Sequence, residues 1–368
     1  MRRFLRPSLD WLLVFVPVAL ALESLAPQYH IAVFFCAAAG IIPLAGWLGR
    51  ATEHLAERAG AGVGALLNAT FGNAAELIIG LVALKKGLRG VVKASLTGSI
   101  LGNVLLVLGA AALAGGLRFH HQRFNRAGAR SQSTMLILAA IALTMPAAYH
   151  HVAGLRGRPL EGSLSLAISI VLLAVYACSL VFSLRTHKQL FDGGSAPAEE
   201  EGEKPAHEAA AASSWSLGRS LGVLAGSTAL VAWMSEVLVG AVGETASELG
   251  MTELFIGVFV VAIVGNAAEH STAVMAARAN KMELALGIAV GSSVQIALLV
   301  APVLVIASHF IGPAPMDLVF SPSEVISVGF SVLLASQIAG DGESNWLEGV
   351  QLLAVYAILA IVFYFIPA

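Results

Sequence analysis

Two five-residue stretches of the chain are identical: Gly72-Asn73-Ala74-Ala75-Glu76 and Gly265-Asn266-Ala267-Ala268-Glu269. Each lies in a run apolar enough for a membrane, "LLNATFGNAAELIIGLVAL" and "FIGVFVVAIVGNAAEHSTAVMAA". A charged carboxylate at mid-bilayer costs roughly 2.5–3.5 kcal/mol on insertion scales, so two in one setting mark a site. Asn73 and Asn266 precede the acids by three residues, which puts an amide beside a carboxylate on one helix face. The apolar run after each motif adds Ser99 and Asn103 in "TGSILGN", and Ser292 and Gln295 in "VGSSVQIAL". These spacings of four and three also share a face. The set holds no thiolate or imidazole, because His270 follows Glu269 by one residue and faces elsewhere. Such an all-oxygen set suits a hard cation: calcium takes about 6–8 oxygens in flexible geometry, whereas softer metals favour Cys or His.

Two carboxylates balance one divalent cation. Without it they would be unpaired anions in a low-dielectric site, where desolvation penalises the charged form, so they should take up protons. The same oxygens cannot hold a metal and a proton well together, and occupancy is therefore exclusive. Taken singly, Ser99, Asn103, Ser292 and Gln295 could each do no more than bond a neighbouring helix. The two acids are harder to explain structurally, since no Lys or Arg lies near the centre of either motif run.

The elements that must carry these residues are membrane helices. The chain has 368 residues, 57% hydrophobic and 12% charged, with mean hydropathy +0.82; a soluble domain carries about 25% charged residues. This composition predicts an all-α polytopic membrane protein. The net charge of -2 says nothing further, and Cys36 and Cys178, both in apolar stretches, argue against a disulfide framework. Apolar runs of roughly 20 residues number eleven, at about 9–26, 29–58, 64–84, 91–117, 130–148, 161–184, 219–249, 253–277, 283–309, 321–339 and 346–366. The first has a rival reading as a signal peptide, with Arg2, Arg3 and Arg6 before it and Ala19-Leu20-Ala21 at its end. Of the 21 Lys and Arg, 15 fall on the cytoplasmic side if the N-terminus is inside, and 6 fall outside, as the positive-inside rule requires. The basic loop at 85–93 is the exception.

The motif runs are third and eighth, an odd offset, so the two helices are expected to be antiparallel. Ser99 follows Glu76 by 23 residues, and Ser292 follows Glu269 by 23. Glu53 and Glu57 in the second run are mirrored by Glu244 and Glu248 in the seventh. The reading is one extra N-terminal helix (1–27) and two inverted five-helix repeats, 28–190 and 216–368, joined by an acidic cytoplasmic linker, 191–215. Antiparallel repeats with a site between them at the midplane characterise secondary transporters, and with alternating access such a site gives antiport of cation against protons. Glu53, Glu57, Glu244 and Glu248 are expected near the two mouths, with Glu236 deeper in the seventh span. The histidine pairs His120-His121 and His150-His151 read as surface residues.

The stretches "GALLNATFGNAAELIIGLVALKKG" and "FIGVFVVAIVGNAAEHSTAV" closely resemble the two signature repeats of the cation/proton exchanger family, within the calcium/cation antiporter superfamily. The resemblance covers nearly the whole chain and implies calcium/proton antiport in a prokaryotic plasma (inner) membrane. It makes Glu76 and Glu269 the essential acids and Asn73 and Asn266 the motif asparagines. Ser99, Asn103, Ser292 and Gln295 match polar positions on the adjoining helices, and the helices carrying Glu53/Glu57 and Glu244/Glu248 match mobile gating helices. The alanine-rich linker is milder than strongly acidic examples, which puts cation sensing by it in doubt. The expected partners are calcium, protons and the bilayer, with no nucleic acid and no cofactor; homo-oligomerisation is left open. A sodium/calcium-type exchanger is the nearest alternative and a passive cation channel a more distant one. Members of the sodium branch tend to carry a Ser/Thr-and-Pro-rich turn before the acid, where this chain has Asn-Ala-Ala. An enzyme is not expected, since Gly98-Ser99 and Gly291-Ser292 lack a companion His or Lys at core depth.

Overall fold

The structure, a computed structural model, describes residues 9–59, 64, 67–68, 70–187 and 215–367. The expected acidic linker falls almost wholly outside them. The described residues form helices joined by short turns and loops, with one pair of two-residue strands. A 3-10 turn, Leu9–Val14, leads into α1 (Phe15–Leu25). There follow α2 (His30–Ala59), α3 (Ala74–Lys85), α4 (Arg89–Gly116), α5 (Arg126–Gly157) and α6 (Glu161–Val181). The second half comprises α7 (Leu217–Gly240), α8 (Val242–Leu249), α9 (Glu253–Gly265), α10 (Ala267–Arg278), α11 (Met282–Ala307), α12 (Pro322–Asp341) and α13 (Trp346–Phe365).

Eleven apolar runs do not become eleven helices long enough to span. Among the described residues, seven helices have the length and apolarity to cross a membrane, or eight if the pair Val242–Leu249 and Glu253–Gly265, bent by 114°, makes one span. The difference has a local cause. The chain turns at Gly72-Asn73 and again at Asn266, which leaves α3 and α10 as pieces of 12 residues each. α1 has only 11 residues, and two expected runs merge into one helical stretch, Arg126–Thr186. That stretch kinks at Gly154, whose φ of 56° is open to glycine and costly for other residues.

The packing is that of an inverted repeat. α2 lies along α7, α5 along α12, α13 against α4, and α6 against the second half of α11. α4 and α11 are central: 83% and 72% of their most apolar stretches are buried within the protein, against 17% for α13. Small residues allow the helices this proximity. A Cβ added at Gly98 of α4 would run into the carbonyl of Val258 on α9, and Gly257 faces Ala94 in the same crossing.

The loops sort into two ends. At one end β1 (Gln122–Arg123) pairs antiparallel with β2 (Glu343–Ser344). There Gln122 donates to the Ala277 carbonyl at 2.8 Å, and Arg118 to that of Arg278 at 3.2 Å. At the other end lies the basic 85–93 loop, and its four cations are all committed. Lys85 meets Glu236 at 3.5 Å, Lys86 donates to the Glu236 carbonyl at 2.8 Å and Arg89 to that of Pro315 at 3.0 Å, while Lys93 pairs with Asp317 at 2.5 Å. These cations fasten the first half of the chain to the second, which accounts for their departure from the charge bias.

The α4–α9 crossing predicts that Gly98→Ala lowers the melting temperature in detergent, by overpacking worth about 1–3 kcal/mol. Gly90→Ala, on the same helix with nothing within 4 Å of the added methyl, should leave it unchanged or raised. Equal melting of the two variants would mean that the crossing is not tight.

Candidate functional site

Each break serves the acid that follows it. Asn73 and Asn266 leave the helical conformation (φ -106°, ψ 31° and φ -94°, ψ 6°), and new helices start at Ala74 and Ala267. Glu76 and Glu269 thereby fall in the first turns of α3 and α10. Free N–H groups and the positive end of the helix dipole favour an anion there. A continuous helix would have left both acids mid-span without that field.

The asparagines are held by the opposite half of the chain. Ser292 Oγ donates to Asn73 Oδ1 at 2.9 Å, and Asn73 Nδ2 donates to Gln295 Oε1 at 2.6 Å. In mirrored fashion, Asn266 Nδ2 donates to Ser99 Oγ at 3.0 Å, and Asn103 Nδ2 donates to Asn266 Oδ1 at 3.3 Å. Asn103 also donates to Ser292 Oγ at 3.0 Å, which joins the two sides. The result is a single chain of contacts, Gln295–Asn73–Ser292–Asn103–Asn266–Ser99. Asn73, Asn266, Ser99 and Asn103 are each 1% exposed. Asn266 additionally donates to the Ala262 carbonyl at 3.0 Å, which the break leaves at the end of α9. Helix geometry loosens here too, with π-helical turns at Gly102–Val107, Ile256–Val261 and Ile296–Val300 flanking the network. Such turns recur at functional sites.

The carboxylates sit beside this network. Glu76 is buried against Gly265, where an added Cβ would lie 3.2 Å from its Oε1. Glu269 follows Gly265 by four residues, and its Oε2 is fully buried with no hydrogen-bond partner. His270 Nε2 is likewise buried and unpartnered. An orphaned carboxylate oxygen beside a second acid is rare in a folded interior and suits a site that awaits a cation or a proton. Among the described residues, no three His, Cys, Asp or Glu side chains gather in a metal-holding geometry. Any cation here would depend on the amide and hydroxyl oxygens as well as the two acids.

The eight residues expected at the centre are thus brought together. The five expected at the mouths are not part of that cluster. Glu53 is exposed on α2, and Glu57 lies 3.5 Å from His54 Nδ1. At the other end Glu248 meets His30 Nδ1 at 2.8 Å, and Glu244 is exposed on α8. Glu236 departs from expectation: instead of lying deep, it is exposed on the last turns of α7 beside Lys85 and Lys86. Its apolar neighbours in sequence made it look central, and only the folded 85–86 loop supplies its partners. His150 is also more than a surface residue, for it bonds Glu161, 14% exposed, at 2.7 Å. The sequence reading passed over one buried acid, Glu324, 4% exposed. Its Oε2 accepts from Ser321 as part of the α12 cap, and its Oε1 accepts from Thr97 Oγ1 at 3.0 Å, two residues from Ser99. The Ser-Pro-Ser-Glu start of α12 announces the cap, but not the partner on α4.

An integral multi-pass helical protein, with two broken motif helices holding each other's polar groups inside an inverted-repeat-like bundle, has the architecture of a secondary transporter. The chain belongs to the sodium/calcium exchanger protein family, which matches it over residues 29–185 and 219–365. It is 46% identical over 362 residues to a Ca(2+)/H(+) antiporter of Aphanothece halophytica, covering 97% of this chain and 96% of that one. It is 48% identical over 325 residues to the Ca(2+)/H(+) antiporter ChaA of Bacillus subtilis (strain 168), covering 88% and 89%. The solved structure of native YfkE superposes with a TM-score of 0.82 at 41% identity, over 98% of this chain and 100% of that chain.

The crossed pairing predicts energetic coupling between Asn73 and Ser292 and none between Asn73 and Ser99. A double-mutant cycle with alanine, followed by thermal unfolding in detergent, should give about 0.6 kcal/mol for the first pair, within a ceiling of ~1.7 for membrane hydrogen bonds. Coupling confined to Asn73 and Ser99 would place the motif asparagine against its own repeat instead.

Proposed function

We propose that the chain is a secondary active antiporter that moves calcium, or a similar cation, against protons. Glu76 and Glu269 bind the cation or protons exclusively, and alternating access exposes them to each side in turn. One observation carries this reading: Glu76 is buried against Gly265, four residues before Glu269, each acid lies on the first turn of a broken helix with no cationic partner among the described residues, and one carboxylate oxygen is buried and unsatisfied. The relatives named above, called Ca(2+)/H(+) antiporters, support the choice of ions. Asn73, Asn266, Ser99, Asn103, Ser292 and Gln295 supply neutral oxygens and hold the acids in register. In the present geometry Asn73 Oδ1 and Asn266 Oδ1 each accept one hydrogen bond, and each amide oxygen keeps a second lone pair for a cation.

The same reading divides the chain into an extra helix (1–27), a first repeat (28–190), a linker (191–215) and a second repeat (216–368), with the N-terminus in the cytoplasm. The two segments of the family match and the sorting of loops into two ends support it. Glu53 and Glu57 guard the inner mouth; Glu236, Glu244 and Glu248 guard the outer. The salt contact between Glu236 and Lys85 gives the outer end something to release on opening.

In proteoliposomes, an imposed pH gradient should drive calcium uptake, and calcium should drive proton movement the other way. A sodium/calcium exchange is the second reading, favoured by the family's description; uptake driven by a sodium gradient and indifferent to pH would establish it in place of the first. Glu76→Gln and Glu269→Gln should keep the fold and abolish exchange, since an amide can neither titrate nor balance the metal's charge. Near-normal calcium-driven proton flux in either variant would remove that residue from the site.

A further inference from the structure

At the end of the bundle that carries the β1–β2 pair, α5 and α11 part around a cavity of about 530 Å³. Arg123 and Lys281 line it, together with Gln132 and the first turn of α11, Met282 to Leu284. Lys281 makes no ion pair or side-chain hydrogen bond among the described residues. Arg123 pairs with Glu343 at 3.1 Å, where both are exposed. The N-termini of two helices converge here. That of α5 is capped by Asn125 Oδ1, which accepts from the Ala127 and Gly128 amides; that of α11 has no side-chain cap. Uncapped first-turn N–H groups and the dipole make such an end attractive to anions.

The charge placement is the reverse of what the helices themselves would favour. α5 opens with Arg126 and Arg130, and Lys281 occupies the α11 cap position, although cations at a helix N-terminus are destabilising. Arg126 and Arg130 have no acidic partner among the described residues. Gln132 lines the cavity with its Oε1 fully buried and unpartnered, so a hydrogen-bond donor such as a headgroup hydroxyl belongs beside it. Glu283 is the one acid on the wall, against the two cations Arg123 and Lys281. The floor is apolar, formed by Phe124, Met282 and Leu286, all buried, and Leu284, 52% exposed, continues it outward. A cationic pocket over an apolar floor that continues outward at Leu284 is amphiphilic in the sense of a lipid and not of a soluble anion.

We propose that this cavity binds the headgroup of an anionic phospholipid. The phosphate lies against Lys281 and the free amides of α11, with Arg123 at its rim and the acyl chains leaving past Leu284. Basic pockets between transmembrane helices take anionic headgroups for this reason. The site stands on the wall of α11, the helix that carries Ser292 and Gln295, and lies apart from those residues.

The test uses the full chain in neutral detergent, given equal amounts of phosphatidylglycerol and phosphatidylcholine, with retained lipid counted by native mass spectrometry. Wild type should keep phosphatidylglycerol in preference. Lys281→Ala and Arg123→Ala should each weaken that preference about fivefold, the effect of one cation near an anionic lipid. Lys281→Arg should retain it, which separates lost charge from lost fold, and Arg185→Ala, a basic residue outside the cavity, should change nothing. Equal retention of the two lipids, an unaltered preference in Lys281→Ala and Arg123→Ala, or displacement of the lipid by inorganic phosphate would each overturn the proposal.

Discussion

A helix that stops in a low-dielectric interior leaves backbone carbonyls and amides with no water to bond, and each must find a partner within the protein. The rest of the centre follows from how the two motif breaks meet that demand. Asparagine is the residue type suited to the position because it carries both a donor and an acceptor. Asn266 donates back to the Ala262 carbonyl from both its backbone and its side-chain amide, donates across to Ser99 and accepts from Asn103. Aspartate could not donate, and alanine could do neither. Because the cross-partners come from the other half of the chain, neither break is stable alone. Each repeat requires its inverted copy to be folded against it.

The remaining letters of the motif have equally local reasons. Gly265 leaves room for Glu76: a methyl there would stand 3.2 Å from the carboxylate oxygen and 3.3 Å from Cγ. Gly72 lies against the Asn68 carbonyl, 2.7 Å from where its Cβ would be, and faces Gln295 at 3.5 Å. The motif therefore packs the acid of one copy onto the glycine of the other, and two short-range sequence preferences become one long-range contact. The acids are tolerated because the break that ends one helix supplies the positive end of the next. Among the described residues no basic side chain pairs with either of them. A buried acid with a built-in arginine partner would be more stable and of less use.

Much of this was legible in the residues. Repeated letters at repeated spacing identified Glu76, Glu269 and their six polar companions, since a shared helix face follows from spacing alone. The odd offset between the motif runs gave their opposed directions. Spacing could not reveal that Ser292 would serve Asn73 and Ser99 would serve Asn266, because that exchange is a property of two repeats packed together. The span count failed for a related reason: hydropathy registers apolar residues and is blind to a break that apolar residues conceal. Glu236 was misplaced in depth because "WMSEVLVG" looks like membrane interior, while the lysines that bring it to an end of the bundle lie some 150 residues away. Glu324 went unnoticed because an acid at position three of a helix is ordinary, and its buried partner Thr97 belongs to another element.

The two ends of the bundle treat their positive charge differently, and this bears on orientation. Lys85, Lys86, Arg89 and Lys93 each bond a carboxylate or carbonyl of the second half, so they serve as internal fasteners and little of their charge is left to interact with lipid. At the other end Arg118 and Arg123 are fastened in the same way, but Arg126, Arg130 and Lys281 have no such partners among the described residues. A charge bias counted from sequence weighs both sets equally, although only the unpaired set can act on a membrane surface. Discounting the fastened cations removes most of the charge of the 85–93 loop and leaves unpaired cations at the β1–β2 end. The basic loop then no longer opposes the proposed orientation, because its charges are spent on holding the two halves of the chain together.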